Sequence, residues 1–181
     1  MKNIKILLAS LCVAAMAFTS CDDEQVLPPI VGAPTMLESN MEGFTFEVVS
    51  LPDDVENVWS WSDQYGAVAS GYIGNKRYAT DVYLVSPAVS LSEEPSCTFS
   101  QAINYLYSYK RENFVNVCVR EPEGEWVVVE VDKWPAGSSW TFNDSSVDLS
   151  EYSNKVVQIG FHYQSTSQAQ PTWEIKSLRI Y

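Results

Sequence analysis

Between residues 155 and 164, Val157, Ile159, Phe161 and Tyr163 alternate with Val156, Gln158, Gly160, His162 and Gln164. A period of two sends alternate side chains to opposite faces of a β-strand, so the segment predicts a strand with one apolar face and one largely polar face. A strand wet on one side belongs to an antiparallel sheet that covers a core from one side only. Short runs rich in Val, Ile, Tyr, Phe and Trp recur from Phe44 onward, near 44–50, 57–62, 67–73, 81–86, 97–107, 114–120, 125–131, 139–143, 155–164 and 173–180. Clusters of Gly, Pro, Asn, Asp and Ser separate them, as in folds built from many strands. So many strands need two sheets, and the pattern predicts an all-β sandwich of two antiparallel sheets. The single helical candidate is one turn around Ser150–Ser153. The clearest hairpin joins 115–120 to 125–131 through Glu121-Pro122-Glu123-Gly124, with proline fixing φ and Gly124 expected to take the positive φ.

The pattern is different before Phe44. Lys2 and Lys5 precede an apolar run from Ile6 to Phe18, and Phe18-Thr19-Ser20 leads into Cys21, which Asp22, Asp23 and Glu24 follow at once. Basic residues, a short apolar stretch and small residues before a cysteine form a signal peptide of the bacterial lipoprotein type. The run is shorter than the roughly 18–20 residues that cross a bilayer, so a lipid on Cys21 is the expected anchor. The competing reading is an ordinary secreted protein cleaved near Ala17. Residues 22–40 carry Pro28, Pro29 and Pro34 without periodicity, as a tether does. The expected organisation is a signal peptide over 1–20, lipidated Cys21 and a flexible tether over 21–40, and the sandwich over 41–181. The acidic triplet after Cys21 resembles a surface-export signal of certain Gram-negative lipoproteins, which places the protein on the outer membrane, facing outward.

The chain has 23 Asp and Glu against 11 Lys and Arg, and loss of residues 1–20 removes two lysines and no acid. Such an acid excess repels nucleic acid and anionic head groups, which excludes them as general partners. With Cys12 in the signal and Cys21 lipidated, Cys97 and Cys118 are left in a compartment that permits disulfides. They form either a disulfide or two buried thiols.

Catalytic signatures are weak. The chain has one histidine, His162, which the alternation puts on the polar face of its strand, exposed and structural. A Ser-His-Asp or Cys-His arrangement would have to use it. Gly137-Ser138-Ser139 lacks the strand-turn-helix context of a nucleophile elbow. Two distant cysteines and one histidine make no zinc motif, and no alternating Asp/Asn run makes a calcium loop. The reading is therefore no enzyme, no cofactor and no metal, with an unrecognised glycoside hydrolase as the residual catalytic option.

Aromatic residues are the stronger lead, with six Trp and ten Tyr. Sugars present apolar C–H faces rimmed by hydroxyls, which suit a flat ring beside charged and amide side chains. Tyr105, Tyr107 and Tyr109 are expected on one face at the end of the long fifth strand, running into Lys110 and Arg111, with Tyr105 packing into the core. Trp134 and Trp140 bracket the loop 135–139. Trp134, Trp140, Tyr107, Tyr109 and Arg111 are the candidate ligand-binding residues. Burial and edge-strand covering compete with that role, and Trp126 reads equally as buried or exposed.

Several blocks taken in order carry a resemblance. They are Trp59-Ser60-Trp61 with the stretch from Tyr65 to Tyr72, the stretch from Tyr83 to Ser92, and Pro171-Thr172-Trp173-Glu174-Ile175-Lys176. Phe99–Tyr105 and Trp134–Trp140 lie between them. Together they resemble the choice-of-anchor J domain and the related cleaved adhesin domain over about residues 55–181. The resemblance implies a jelly-roll β-sandwich of surface-anchored bacterial proteins that serve adhesion and glycan capture, with no catalytic residues. It also implies, for some relatives, structural calcium held by an acid of the first strand and an acidic pair in the last. Here Glu47 supplies the first, but Lys176 and Ser177 stand at the last-strand positions. The resulting expectation is a non-catalytic surface lipoprotein that binds carbohydrate or a glycosylated partner. The alternative is a structural or protein-interaction accessory module of an outer-membrane uptake or adhesion complex.

Overall fold

The computed structural model describes residues 35–37 and 39–181. Its strands are β1 (Thr35–Met36), β2 (Thr45–Ser50), β3 (Trp59–Ser62), β4 (Gly66–Ser70), β5 (Tyr72–Ile73), β6 (Lys76–Arg77) and β7 (Thr80–Val85). They continue with β8 (Val89–Ser90), β9 (Ser96–Asn104), β10 (Val115–Arg120), β11 (Val127–Val129), β12 (Ser139–Asp148), β13 (Val156–Ser165) and β14 (Thr172–Ile180). A front sheet runs β12-β9-β14-β4-β3, with β1 also paired to β14, and a back sheet runs β11-β10-β13-β7-β2, with β8 beside β13. Every pairing in the two sheets is antiparallel. The all-β sandwich of two antiparallel sheets expected from the alternation is the observed fold, in agreement with the jelly-roll sandwich that the resemblance implies.

The alternation in β13 works as read. Val157, Ile159, Phe161 and Tyr163 are all fully buried between the sheets. Phe161 packs edge-on against Phe99 at 5.5 Å and against Trp173 at 5.7 Å, joining the back sheet to the front one. Each large side chain taken out of water contributes roughly 1.5–3 kcal/mol, so this row is the main support of the fold. Two polar groups enter the core with their partners. The Tyr163 hydroxyl donates to the Pro171 carbonyl at 2.6 Å and accepts from the Gly71 N–H at 2.8 Å. Gln101 is fully buried, accepts from Trp173 Nε1 at 2.9 Å and donates to Ser145 Oγ at 2.9 Å.

Several expectations are corrected. The fifth predicted strand ends at Asn104, not 107, because Tyr105 and Tyr107 have φ of +61° and +52°, values no extended strand accepts. β12 continues to Asp148, although Asn143-Asp144-Ser145-Ser146 has turn composition. Ser145 faces buried Gln101, so a polar residue is what that inward position requires. Segment 67–73 splits at Gly71, and Tyr72–Arg77 forms a hairpin of its own, turning through Gly74 and Asn75 with φ of +55° and +62°. In the acidic turn the positive φ falls on Glu123 at +63°, with the Gly124 N–H bonding the Glu121 carbonyl at 2.8 Å, as in a type II turn. Residues 35–37, expected in the tether, belong to the fold: β1 pairs with β14 and Leu37 is buried in the core. The Ser150–Ser153 turn is a single 3₁₀ turn over Ser150–Tyr152.

Cys97 and Cys118 are free thiols. Cys97 belongs to the core between the sheets, while Cys118 alternates with core residues Val117 and Val119 and so stands on the opposite face of the back sheet. A disulfide between opposite faces of the layers is geometrically impossible, and burial pushes both thiols up to about 12. The signal peptide, Cys21 and most of the tether lie outside the described residues.

Candidate functional site

Three neighbouring strands of the front sheet stop level with one another. Thr172 at the start of β14 pairs with Ser70 at the end of β4 and with Asn104 at the end of β9. The connections that leave these strands therefore rise together at one end of the sandwich. Asn104 Oδ1 accepts the Tyr105 N–H at 2.8 Å and holds the chain in its left-handed turn. Leu106, next along, is buried, and its N–H bonds the Gly137 carbonyl at 2.9 Å. Gly137 has φ of +81°, and a Cβ there would lie 2.6 Å from Leu106 Cδ2, so only glycine lets the two loops close on each other. Gln101 and Ser145 hold the second loop from beneath, with Ser145 Oγ donating to the Lys133 carbonyl at 2.7 Å.

With Leu106 pinned inward, Tyr105 and Tyr107 are turned out into water, and Tyr107 is 76% exposed. Tyr105 meets Trp140 edge-on at 5.5 Å and lies tilted against Tyr107 at 6.3 Å, and Tyr105 and Trp140 are each nearly half exposed. Two left-handed non-glycine residues cost of order 1–2 kcal/mol each. Beside the tyrosines lies a cleft of about 250 Å³, lined among others by Tyr72, Arg77, Tyr105, Tyr107, Gln168 and Gln170. Rings, amides, hydroxyls and one guanidinium around a shallow cleft can stack on a sugar face and hydrogen-bond its rim.

The sequence candidates therefore separate. Tyr107 and Trp140 belong to this cluster. Tyr109 instead packs edge-on against Phe114 at 5.7 Å. Arg111 lies 4.0 Å over the Trp134 ring and donates to the Val115 carbonyl at 2.8 Å, and burial lowers its pKa. Trp134, half-buried, also touches Trp173 at 6.1 Å, so these two candidates are used within the protein. Tyr105, expected in the core, is the centre of the exposed cluster. Tyr72, Arg77, Gln168 and Gln170 were not among the candidates. The Gly74-Asn75 pair, a two-residue hairpin signal, is what could have placed Tyr72 and Arg77 together.

The outer face of the back sheet carries a second set of rings, stacked in parallel. Trp126 stacks on Tyr83 at 5.1 Å and Tyr83 on His162 at 4.0 Å, with Arg120 4.1 Å over Trp126. Trp126 Nε1 donates to Glu47 at 3.0 Å, Arg120 bridges Glu47 at 2.9 Å, and His162 Nε2 is 2.6 Å from Asp81. His162 is thus half-buried in a stack and not exposed as expected. Glu47 is bound by Arg120 and Trp126, and Lys176 lies 3.8 Å over Phe142, so the calcium pattern of the resembling family does not fit these residues.

The fold is similar to the β-sandwich of cleaved adhesin domains. The K2 cleaved adhesin domain of Lys-gingipain matches with a TM-score of 0.54 at 13% identity, over 82% of this chain and 98% of that one. The K3 domain of Lys-gingipain from Porphyromonas gingivalis W83 matches with a TM-score of 0.51 at 15% identity, over 82% and 97%. At such identities the likeness is one of fold. No protein-family model and no curated protein sequence matches the chain.

Proposed function

We propose that this chain is a non-catalytic, lipid-anchored surface protein that binds carbohydrate or a glycosylated partner through the aromatic end of its sandwich. The observation that carries the reading is the exposed cluster of Tyr105, Tyr107 and Trp140, its two tyrosines on left-handed backbone beside a cleft of amides and hydroxyls. Rings that served stability would be buried. The sequence blocks that resemble choice-of-anchor J, and the adhesin-domain fold, agree with a role in adhesion or glycan capture. The lone histidine, which a nucleophilic triad would need, is occupied by Tyr83 and Asp81. A lipid on Cys21, with the acidic residues that follow it, would hold the domain on the outer membrane facing outward. Such tethering raises the local concentration of ligand at the cell surface.

A glycan array tests the binding. Wild-type protein should give reproducible hits that Tyr107→Ala, an exposed change, removes. An array without hits, or hits indifferent to that change, would overturn the reading. Incubation of the purified domain with the hit glycans should release no reducing ends, and release would reassign it as a hydrolase. Metabolic labelling with a fatty acid should mark the wild type and not Cys21→Ser, and equal labelling would remove the anchor.

One observation favours the protein-interaction alternative. β2 is an edge strand of the back sheet and exposes Phe46, Val48 and Val49. Such an edge suits addition of a strand from a partner. Capture of a defined outer-membrane protein that is lost on Val48→Lys would support it.

A further inference from the structure

We propose that the ligand at the aromatic end is an anionic sugar, with Arg77 receiving its carboxylate or sulfate; this rests on the carbohydrate reading above and narrows it. Acids outnumber Lys and Arg by 23 to 11 in this chain, so a cleft that holds a cation and no acid departs from its average surface. Lys76 pairs with Asp54, Arg120 with Glu47, and Lys155 with Glu121. Arg77, exposed on β6, has no acid within 4.0 Å and no side-chain hydrogen bond among the described residues. The cleft it lines contains no carboxylate: Ser70, Ala169, Thr172, the tyrosines and two glutamines complete it. In a strongly acidic protein this cleft is a local reversal of charge.

The hairpin fixes where the guanidinium stands. Tyr72 and Arg77 are directly paired across β5 and β6, so both side chains project from the same face. The left-handed pair Gly74 and Asn75 closes the loop in two residues, with the twist that flanking strands prefer. Guanidinium presents a planar fork of donors matched to the two oxygens of a carboxylate or sulfate, and Arg is weakly hydrated enough to enter such contacts cheaply. A neutral sugar would be served by Tyr105, Tyr107, Gln168 and Gln170 alone. The guanidinium can also donate to neutral hydroxyls, but only an anionic sugar neutralises its charge and accepts its fork of donors in two parallel bonds.

The test is an array of neutral, carboxylated (uronic and sialyl) and sulfated glycans, read with wild type, Arg77→Gln and Arg77→Lys. The readout is the ratio of anionic to neutral signal, with melting temperatures as the control for folding. Wild type should favour anionic glycans by about tenfold, Arg77→Gln should bring the ratio near one, and Arg77→Lys should restore part of it. The hits will show whether carboxylate or sulfate is the anion. A wild-type ratio near one, or an anionic preference that survives Arg77→Gln, overturns the inference and leaves carbohydrate binding intact. An array without any hits overturns both.

Discussion

The molecule uses aromatic side chains in two opposite ways, and the contrast separates scaffold from site. On the back sheet, Arg120, Trp126, Tyr83 and His162 form one parallel stack in which Arg120, Trp126 and His162 find polar partners in Glu47, Gln158 and Asp81. Every ring there is at least partly covered, and the backbone beneath is a regular ladder. At the end of the front sheet, Tyr105 meets Trp140 by its edge and Tyr107 at a tilt, all three lie open to water, and the two tyrosines stand on left-handed backbone. The stack has spent its interactions on itself. The end cluster keeps its ring faces and hydroxyls open, and strained backbone of this kind is commonly retained at ligand sites.

The largest expected effect falls on the stack. Trp126→Ala should cost about 2–3 kcal/mol by chemical denaturation, through lost stacking, the cation–π contact and the hydrogen bond to Glu47, with glycan binding unchanged. Loss of binding there would move the site to the back sheet. A smaller effect, about 1–3 kcal/mol, is expected for Gly160→Ala, because a Cβ would lie 2.8 Å from two Trp126 ring atoms and 3.1 Å from Tyr83. The end cluster should behave inversely. Tyr107→Gly keeps the φ of +52° accessible, so stability should change by less than about 0.5 kcal/mol while affinity falls about tenfold.

The smallest expected effect is a pH dependence away from both clusters. Glu174 is buried on the outer face of the front sheet with Oε2 unpartnered, and burial raises its pKa while Lys176 opposes the shift. A raised carboxyl is most compatible with the fold below its ordinary value of 4.5, where folded and unfolded chains both hold the proton, and it weighs against the fold as pH rises through the folded-state value. Glu174→Gln should therefore raise the melting temperature at pH 7, with the gain fading toward pH 4. A gain of equal size at both pH values would show that ionisation of Glu174 is irrelevant.

Period-two alternation made the sandwich legible, since Val157 through Tyr163 needed only their spacing to be placed in the core. Turn chemistry was legible in part. Pro122 marked its turn, but the positive φ settled on Glu123, where the backbone required it whatever the residue. The site was less legible because it depends on where strands stop. Tyr105 continues the apolar alternation of β9, and nothing local announces that Leu106, drawn inward by Gly137, reverses the facing of its neighbours. Trp134 and Arg111 looked exposed as loop residues, yet a guanidinium 4.0 Å over an indole satisfies both without a ligand.

The measurement that tests the central claim most directly is backbone amide chemical-shift mapping of the folded domain titrated with a glycan taken from the array. Perturbations should concentrate at residues 70–77, 104–109, 140 and 166–172, with the amides of Tyr83, Trp126 and His162 unmoved. Perturbations centred on the Trp126, Tyr83 and His162 face, with the Tyr105 and Tyr107 loop silent, would contradict it.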